Sequence, residues 1–266
     1  ASAVRAHVQK KDFLEKLLSH AEEGPLALLA MNADGSSFLR MNRAYYIIGL
    51  AGLNELARMM TGFQLHESGA AMDFGLRVVD FLEQEARRLG DTLGMALVLE
   101  QTPAETTAYR FARLDLKYHS PAAGRMVQGD IASGSVYYTN STQLHTAADI
   151  GPLVRVQEEG RFHPFLAGDV VTHLQLGGVR PDPAALAGFV NTVFGHSKNR
   201  QIDFTPEFTA CPACGKTSRG LSESCPFCGS PEVEGIAQLT RYYSRISGWN
   251  KGKRAELKNR RINRDF

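Results

Sequence analysis

The sequence predicts an α/β fold with a small metal-binding element close to its C-terminal end. Three observations carry this expectation. Short apolar runs alternate with longer amphipathic segments, Gly-rich strand-like pieces follow Ser120-Pro121, and all four cysteines lie between residues 211 and 228. Alternating strands and long helices favour an α/β layout. A chain of 266 residues can bury a sizeable core without disulfide staples.

The elements follow in order. Phe13, Leu14, Leu17 and Leu18 stand at helical spacing within residues 10–20, and Gly24-Pro25 ends that helix. The apolar stretch Leu26–Met31 leads to a turn at Asn32-Ala33-Asp34-Gly35, and a second apolar run covers Tyr45–Leu50. Helical patterns recur at 52–61, 74–90 and 103–116, with Asp73 and Thr102 suited to N-caps and Pro103 to a first helical position. Met95–Leu99 reads as a buried strand. Beyond it, 136–139 and 168–176 are strand-like, 182–195 is helical, and 201–208 forms one more strand. There is no internal repeat and no low-complexity segment.

Charge is unevenly spread. The whole chain carries 30 Lys and Arg against 28 Asp and Glu, a net of +2. Residues 241–266 hold nine basic and two acidic residues, which leaves 21 basic and 26 acidic, a net of −5, in residues 1–240. The longest apolar runs fall short of the ~18 consecutive apolar residues of a membrane span. The start, Ala1-Ser2-Ala3-Val4-Arg5, lacks the apolar core of a signal peptide. A cytoplasmic protein with no membrane association is the expectation.

Cys211-Pro-Ala-Cys214-Gly and Cys225-Pro-Phe-Cys228-Gly are two knuckles ten residues apart. Each two-residue spacer lets both thiolates face one ion. Four thiolates make a closed tetrahedral Zn²⁺ site with no open position, so its role is structural. A redox dithiol and an iron–sulfur centre are the alternatives.

Other polar clusters are less specific. Thr102-Pro103-Ala104-Glu105-Thr106-Thr107 joins a strand to a helix, a junction that either caps the helix or binds an anion. His66-Glu67 suits acid–base chemistry or loop hydrogen bonding. Asn140 and Ser141, after Tyr137-Tyr138-Thr139, suit a ribose, a phosphate or a plain loop. His119, His145, His163, His173 and His196 show no ligand spacing and read as surface or core histidines. The tail from Lys251 to Arg261 reads as a solvated basic helix face anchored by Leu257, or as a phosphate or nucleic-acid contact.

Six of these segments occur in one order. They are Ile48-Gly49-Leu50-Ala51-Gly52-Leu53-Asn54-Glu55, Leu65-His66-Glu67-Ser68, Glu100-Gln101-Thr102-Pro103-Ala104-Glu105, Tyr138-Thr139-Asn140-Ser141-Thr142, the paired knuckles, and Trp249-Asn250-Lys251-Gly252-Lys253. Together they resemble the C-terminal half of anaerobic (class III) ribonucleoside-triphosphate reductase, from about residue 45 to 261.

The resemblance implies half of a ten-stranded α/β barrel of the glycyl-radical enzyme type, with a C-terminal four-cysteine zinc ribbon. It divides the chain into a half-barrel portion at 1–200, the ribbon at 201–240, and a glycyl-loop-like segment with the basic tail at 241–266. It implies an oxygen-sensitive enzyme that reduces ribonucleoside triphosphates to deoxyribonucleotides by radical chemistry. Cys211, Cys214, Cys225 and Cys228 match its zinc ligands. Thr102, Ala104, Glu105, Thr106 and Thr107 match a segment facing substrate phosphates, and Tyr138, Asn140 and Ser141 match a loop near the active site. The implied partners are a radical-SAM activating enzyme, ribonucleoside triphosphates, further copies in an oligomer, and an N-terminal half-barrel polypeptide or missing segment. That last partner would bring the catalytic cysteine, because every cysteine here belongs to the knuckles.

The radical glycine has two registers. The first places Arg241, ahead of Tyr242-Tyr243, where the family has glycine. The second reads Arg245-Ile246-Ser247-Gly248-Trp249 as the glycyl-radical signature and makes Gly248 the candidate. A backbone Cα radical is stabilised between amides only where no side chain forces it from planarity, which Gly248 satisfies and Arg241 does not. Two other readings follow: a non-catalytic relative that has lost the radical glycine, and a zinc-ribbon nucleic-acid-binding protein.

Overall fold

The computed structural model describes residues 1–31, 37–102, 104–264 and 266. The expected turn at Asn32–Gly35 and the helical role of Pro103 lie outside the described residues. The chain opens with α1 (Ser2–Ser19), a single 3₁₀ turn at Ala21–Glu23 and the short α2 (Ala27–Ala30). Phe13 is 60% exposed, so the buried stripe of α1 runs through Val4, Val8, Leu14 and Leu18 instead.

A β-α-α-β unit follows. It consists of β1 (Tyr45–Gly49), α3 (Leu53–Thr61), α4 (Gly69–Leu93) and β2 (Ala96–Glu100), with β1 and β2 parallel from Tyr45–Ala96 to Gly49–Glu100. α3 is bounded by Gly52 and Gly62, both in the left-handed region at φ 81° and 84°. α4 begins earlier than its hydrophobic pattern suggests. Its cap is Ser68, whose Oγ accepts the Ala70 N–H, while Asp73 lies inside the helix and pairs with Arg161 at 3.0 Å. Leu65, Met72, Val79, Leu99, Phe162 and Leu166 form the centre of the main core between these helices and strands.

Next come α5 (Glu105–His119) and the hairpin of β3 (Gln128–Asp130) and β4 (Ser135–Tyr137), sharing a small core of Ala112, Val127 and Val136. The cap of α5 is Ala104, not Thr102. α6 (Pro152–Gly160) leads to a second parallel pair, β5 (Thr172–Gly177) and β6 (Ile202–Pro206), joined by α7 (Pro183–His196). Asp182 caps α7 through the Ala185 N–H at 2.9 Å. The strand expected at 168–176 begins only at Thr172. Residues 168–169 instead bond to the end of β2, where Gly168 N–H donates to the Leu99 carbonyl and Gln101 N–H to the Asp169 carbonyl. Phe189, Phe204 and Phe266 meet edge-on in a second core, with centroids 5.2–6.2 Å apart.

The stretch 201–208 reaches into two strands, because Glu207 separates β6 from β7 (Phe208–Ala210). With β8 (Thr217–Arg219), β9 (Glu234–Gln238) and β10 (Tyr243–Arg245), β7 forms an antiparallel sheet in the order β10-β9-β7-β8. This sheet meets the body at Gly178 and Gly220, where a Cβ on either would stand 3.2 Å from the other's Cα. Arg219 clamps the contact through two bonds to the Val179 carbonyl, at 3.0 and 2.8 Å.

The basic tail is helical, as α8 (Lys251–Asn259), with Lys251, Arg254 and Lys258 exposed on one face and the opposite face seated on the body. Gly252 lies against β4, where a Cβ would come within 2.4 Å of the Val136 carbonyl and 2.8 Å of Tyr109. Lys253 is buried in an ion pair with Glu256, which also pairs with Arg260 at 3.3 Å. These two cations outweigh the burial of Glu256 and hold its pKa down at about 2. Among the described residues no helix is long and apolar enough to cross a membrane.

Candidate active site and metal centre

Parallel strands place the loops that follow them at one end of the sheet, where ligands bind in α/β proteins. Here that end carries Gly49, Gln101 and Thr102. Gln101 is 2% exposed and joins three segments. Its N–H donates to the Asp169 carbonyl, its side-chain amide to Thr142 Oγ1, and its Oε1 accepts the Val171 N–H, each at 2.9 Å. A Cβ on Gly49 would stand 2.5 Å from Thr102 Oγ1, so only glycine lets Thr102 close over β1.

The first turn of α5 presents Glu105, Thr106 and Thr107, with Ala104 buried behind them. Thr102 Oγ1 donates to Glu100 at 3.4 Å and does not cap the helix. Glu105 already lends its carboxylate to the positive helix end. Its Oε1 accepts the Thr240 N–H at 3.1 Å and also the Thr240 hydroxyl, while its carbonyl accepts from Asn250 Nδ2 at 3.3 Å. The exposed Thr106 and half-buried Thr107 leave the remaining face of this turn open to an anion.

The loop after β4 closes the opposite side. Gly52 N–H donates to the Thr139 carbonyl at 3.0 Å, and Ala51 bridges Asn140. The buried Glu55 organises the loop. Its Oε1 accepts the Thr139 N–H at 3.1 Å, the Thr139 hydroxyl at 2.6 Å and Gln128 Nε2 at 3.1 Å. Tyr138 donates its hydroxyl to Asp115 at 2.7 Å, and burial together with that carboxylate pushes the phenol pKa up. Ser141 is fully buried at φ 47°, a conformation that costs a non-glycine residue about 1–3 kcal/mol.

Glu55 Oε2, Asn140 Oδ1, Ser141 Oγ and His66 Nδ1 are buried without a hydrogen-bond partner. Orphaned polar atoms and backbone strain are rare in a finished interior, and such atoms have bonding capacity that water or a ligand can use. Burial lowers the His66 pKa, and burial, His66 and Arg155 lower that of His145 to about 4. Glu67 accepts the Gln64 N–H at 2.7 Å and Gln64 Nε2 at 3.0 Å. Although burial opposes it, these bonds keep the Glu67 pKa below the usual range.

The hairpin of β9 and β10 reaches this end of the body. Leu239 N–H donates to the Tyr242 carbonyl at 2.9 Å, so Thr240 and Arg241 form its tip. Thr240 is held by Glu105, and Arg241 forms an ion pair with Asp169. Gly248 lies at the other end of the hairpin. Its neighbour Ser247 donates through N–H and Oγ to Glu234, the first residue of β9, at 3.2 and 2.8 Å. Gly248 is exposed, with no atom within 4 Å of where a Cβ would stand.

The four cysteines converge. All four sulfurs lie within 4.8 Å of one another, and Cys211–Cys228 and Cys214–Cys225 are each separated by 3.7 Å. A tetrahedron with metal–sulfur bonds of ~2.3 Å has edges of ~3.8 Å, so the donor set fits a closed tetrathiolate site. Gly215 and Gly229, at φ 69° and 74°, turn each knuckle so that their N–H groups reach the Cys211 and Cys225 carbonyls at 2.9 Å.

The structure therefore brings Thr102, Ala104, Glu105, Thr106 and Thr107 and the Tyr138–Ser141 loop to one end of the body, and keeps Gly248 apart. Glu55, Gln101 and Asp169 were not legible as site residues in the sequence. An acidic residue in a helix first turn reads as a dipole partner, and the partners of the other two come from distant segments.

Comparison with known proteins gives one consistent result. A family model described as anaerobic ribonucleoside-triphosphate reductase matches residues 1–262. Anaerobic ribonucleoside-triphosphate reductase of Salmonella typhimurium is 25% identical over 248 residues, covering 87% of this chain and 33% of the relative. The enzyme of the same name from Enterobacteria phage T4 is 20% identical over 249 residues, covering 90% of this chain and 38% of its own. The chain thus spans about a third of the length of the curated relatives it matches. A solved anaerobic ribonucleotide reductase superposes with a TM-score of 0.76 at 21% identity, over 96% of this chain and 39% of that one. The Thermotoga maritima enzyme, solved with glycerol in the active site, gives 0.70 at 21% identity, over 92% and 37%. At these identities the superpositions show a shared fold.

Proposed function

The chain belongs to the anaerobic ribonucleoside-triphosphate reductase family, and from that premise we propose that it is the C-terminal, substrate-facing portion of such a reductase. In this reading β1, β2, the segment at 168–171, β5 and β6 are wall strands of the ten-stranded barrel. The bonds from β2 to residues 168 and 169 support that continuity. The observation that carries the reading is the docking of the hairpin tip, where Thr240 meets Glu105 and Arg241 meets Asp169 at the ligand end of β1 and β2.

Thr102, Thr106 and Thr107 offer hydroxyls, and the α5 first turn its amides, to the triphosphate. Asn140 Oδ1, Ser141 Oγ and Glu55 Oε2 offer their unused bonding capacity to the ribose hydroxyls. The reaction class is reduction of a ribonucleoside triphosphate with loss of the 2′-hydroxyl as water. It needs a thiol, and the chain's four cysteines all stand in the metal centre. The thiol comes from another chain or a further segment of the same protein. Zn²⁺ bound by Cys211, Cys214, Cys225 and Cys228 supplies structure alone, fixing the sheet that carries the hairpin. Gly248 is the proposed radical residue, and its exposure leaves it open to a radical-SAM activating enzyme. Anaerobic co-purification with a cysteine-bearing N-terminal segment of a relative tests the assembly. Retention is expected, and failure to associate contradicts it.

A second reading rests on the tip itself. Arg241 stands where the first register expects glycine, and its side chain is tied to Asp169. This favours a relative that keeps the scaffold and binds ribonucleotides without storing a radical. The absence of oxygen-dependent backbone cleavage between residues 241 and 248 after activation would support it, and a cleaved C-terminal fragment would remove it.

A further inference from the structure

The nine basic residues of 241–266 are not equivalent in the fold. Arg241, Lys253, Arg260 and Arg261 are ion-paired, to Asp169, Glu256, Glu256 and Asp149. Among the described residues, no ion pair engages Lys251, Arg254 or Lys258. These three stand at i, i+3 and i+7 of α8, one stripe of the helix. The stripe forms one wall of a cleft of about 620 Å³, faced by Gly129, Asp130, Ser133 and Ser135 of the β3–β4 hairpin.

That volume falls within the range of small-molecule sites, roughly 300–1,000 Å³. The opposite wall offers the Ser133 and Ser135 hydroxyls beside the Asp130 carboxylate. Asp130 is engaged by its own turn, accepting the Ala132 and Ser133 N–H groups at 3.0 and 3.2 Å. Ser133 and Ser135 bring their hydroxyls together at 2.9 Å, and Lys251 Nζ leans on the Ser133 carbonyl at 3.5 Å. We propose that this cleft is a binding site for a compact polyphosphate, either free or as the phosphate tail of a nucleotide, separate from the phosphate-facing turn of α5.

The geometry favours a compact ligand over a nucleic-acid strand. The three cations span about 10 Å of helix at ~1.5 Å per residue, whereas duplex DNA carries a charge every ~1.7 Å along a track without end. Beyond Lys258 the stripe stops, because Arg260 and Arg261 are committed to Glu256 and Asp149. The cleft is also connected to the candidate active site. Asn259 in its wall donates to the Tyr137 hydroxyl at 2.9 Å, immediately before the Tyr138–Ser141 loop.

The test is calorimetric titration of the full chain with sodium tripolyphosphate. Saturable binding is expected, weakened about tenfold or more in Arg254→Ala/Lys258→Ala, since a charge-assisted bond carries ~1.5–3 kcal/mol and 1.4 kcal/mol is tenfold. Lys251→Gln should weaken it independently. Arg245→Ala, a cation outside the cleft, should leave it unchanged. ATP should bind with the same dependence on the cleft cations if a nucleotide is the source, and tripolyphosphate alone if the free anion is. No saturable binding, or equal weakening by Arg245→Ala, overturns the proposal. So does a dT oligonucleotide that binds more tightly than tripolyphosphate through the same cations.

Discussion

Arg241, at the tip of the β9–β10 turn, is ion-paired with Asp169, and the backbone carbonyl of Asp169 accepts the N–H of Gln101 at the end of β2. A hairpin that grows out of the cysteine sheet is thereby fastened to the ligand end of the parallel strands. Glu105 makes the second fastening through Thr240.

These two fastenings should be separable. Glu105→Ala removes a charged acceptor from two Thr240 donors, a loss of about 1.5–3 kcal/mol where such bonds are sheltered. Amide exchange at residues 239–243 is expected to accelerate while β5 and β6 keep their protection. Unchanged exchange at the tip would show that the hairpin is held elsewhere.

The metal centre should control the same hairpin from its base. Purified chain is expected to carry about one Zn²⁺ by elemental analysis, and Cys225→Ser to carry none, because the closed site needs all four thiolates. Removal of the ion should release β7 to β10 before the body, since metal binding at such sites is coupled to local folding. A chain that retains the sheet's exchange protection without metal would refute this coupling.

His163 makes stability depend on pH. It is fully buried, and burial, with a smaller contribution from Arg200, lowers its pKa to about 4. The unfolded ring titrates near ~6.5, so below that pH the unfolded chain takes up a proton that the native chain refuses. The contribution is intact above pH ~6.5 and is lost as pH falls toward ~4, of order 3 kcal/mol in total. Urea midpoints between pH 7 and 4 should fall more steeply in the native chain than in His163→Asn. Parallel slopes would assign the loss to other groups.

Gly252→Ala tests the seating of the tail. The added methyl would meet the Val136 carbonyl and Tyr109, and overpacking of this kind costs about 1–3 kcal/mol. A lower urea midpoint is expected, together with faster exchange along α8. No change would mean that α8 can lift from β4 freely.

The radical position is open to direct spectroscopy. After anaerobic activation the chain is expected to show a glycyl doublet by electron paramagnetic resonance, abolished in Gly248→Ala. A doublet that survives that substitution would contradict Gly248. The absence of any doublet would favour the second reading, with Arg241 at the tip.

Much of this fold is local in origin and was legible. The helical patterns at 52–61 and 182–195 appear as α3 and α7, and the CxxC spacing sets both thiolates of each pair on one centre. The misreadings are those that long-range contacts decide. Asp73 has the chemistry of a cap, but Ser68 starts α4 earlier and Asp73 is taken by Arg161. Thr102 likewise has cap chemistry, yet it closes against Gly49 and Glu100. The tail has the expected solvated basic face at Lys251, Arg254 and Lys258, but Glu256 draws Lys253 and Arg260 inward, which the sequence pattern does not show. In the site, Thr102–Thr107 and Tyr138–Ser141 could be picked out by residue type. Glu55 and Gln101 could not, because Thr139, Asp169 and Thr142 reach them only after folding.

Product formation is the most direct test of the central claim. The chain, combined anaerobically with a cysteine-bearing N-terminal segment of a relative and a radical-SAM activating enzyme, is supplied with CTP and a reductant, and dCTP is measured. The expected result is dCTP that depends on this chain and is lost in Cys225→Ser. A stable complex that binds CTP but forms no dCTP would contradict the claim that this chain completes a working reductase.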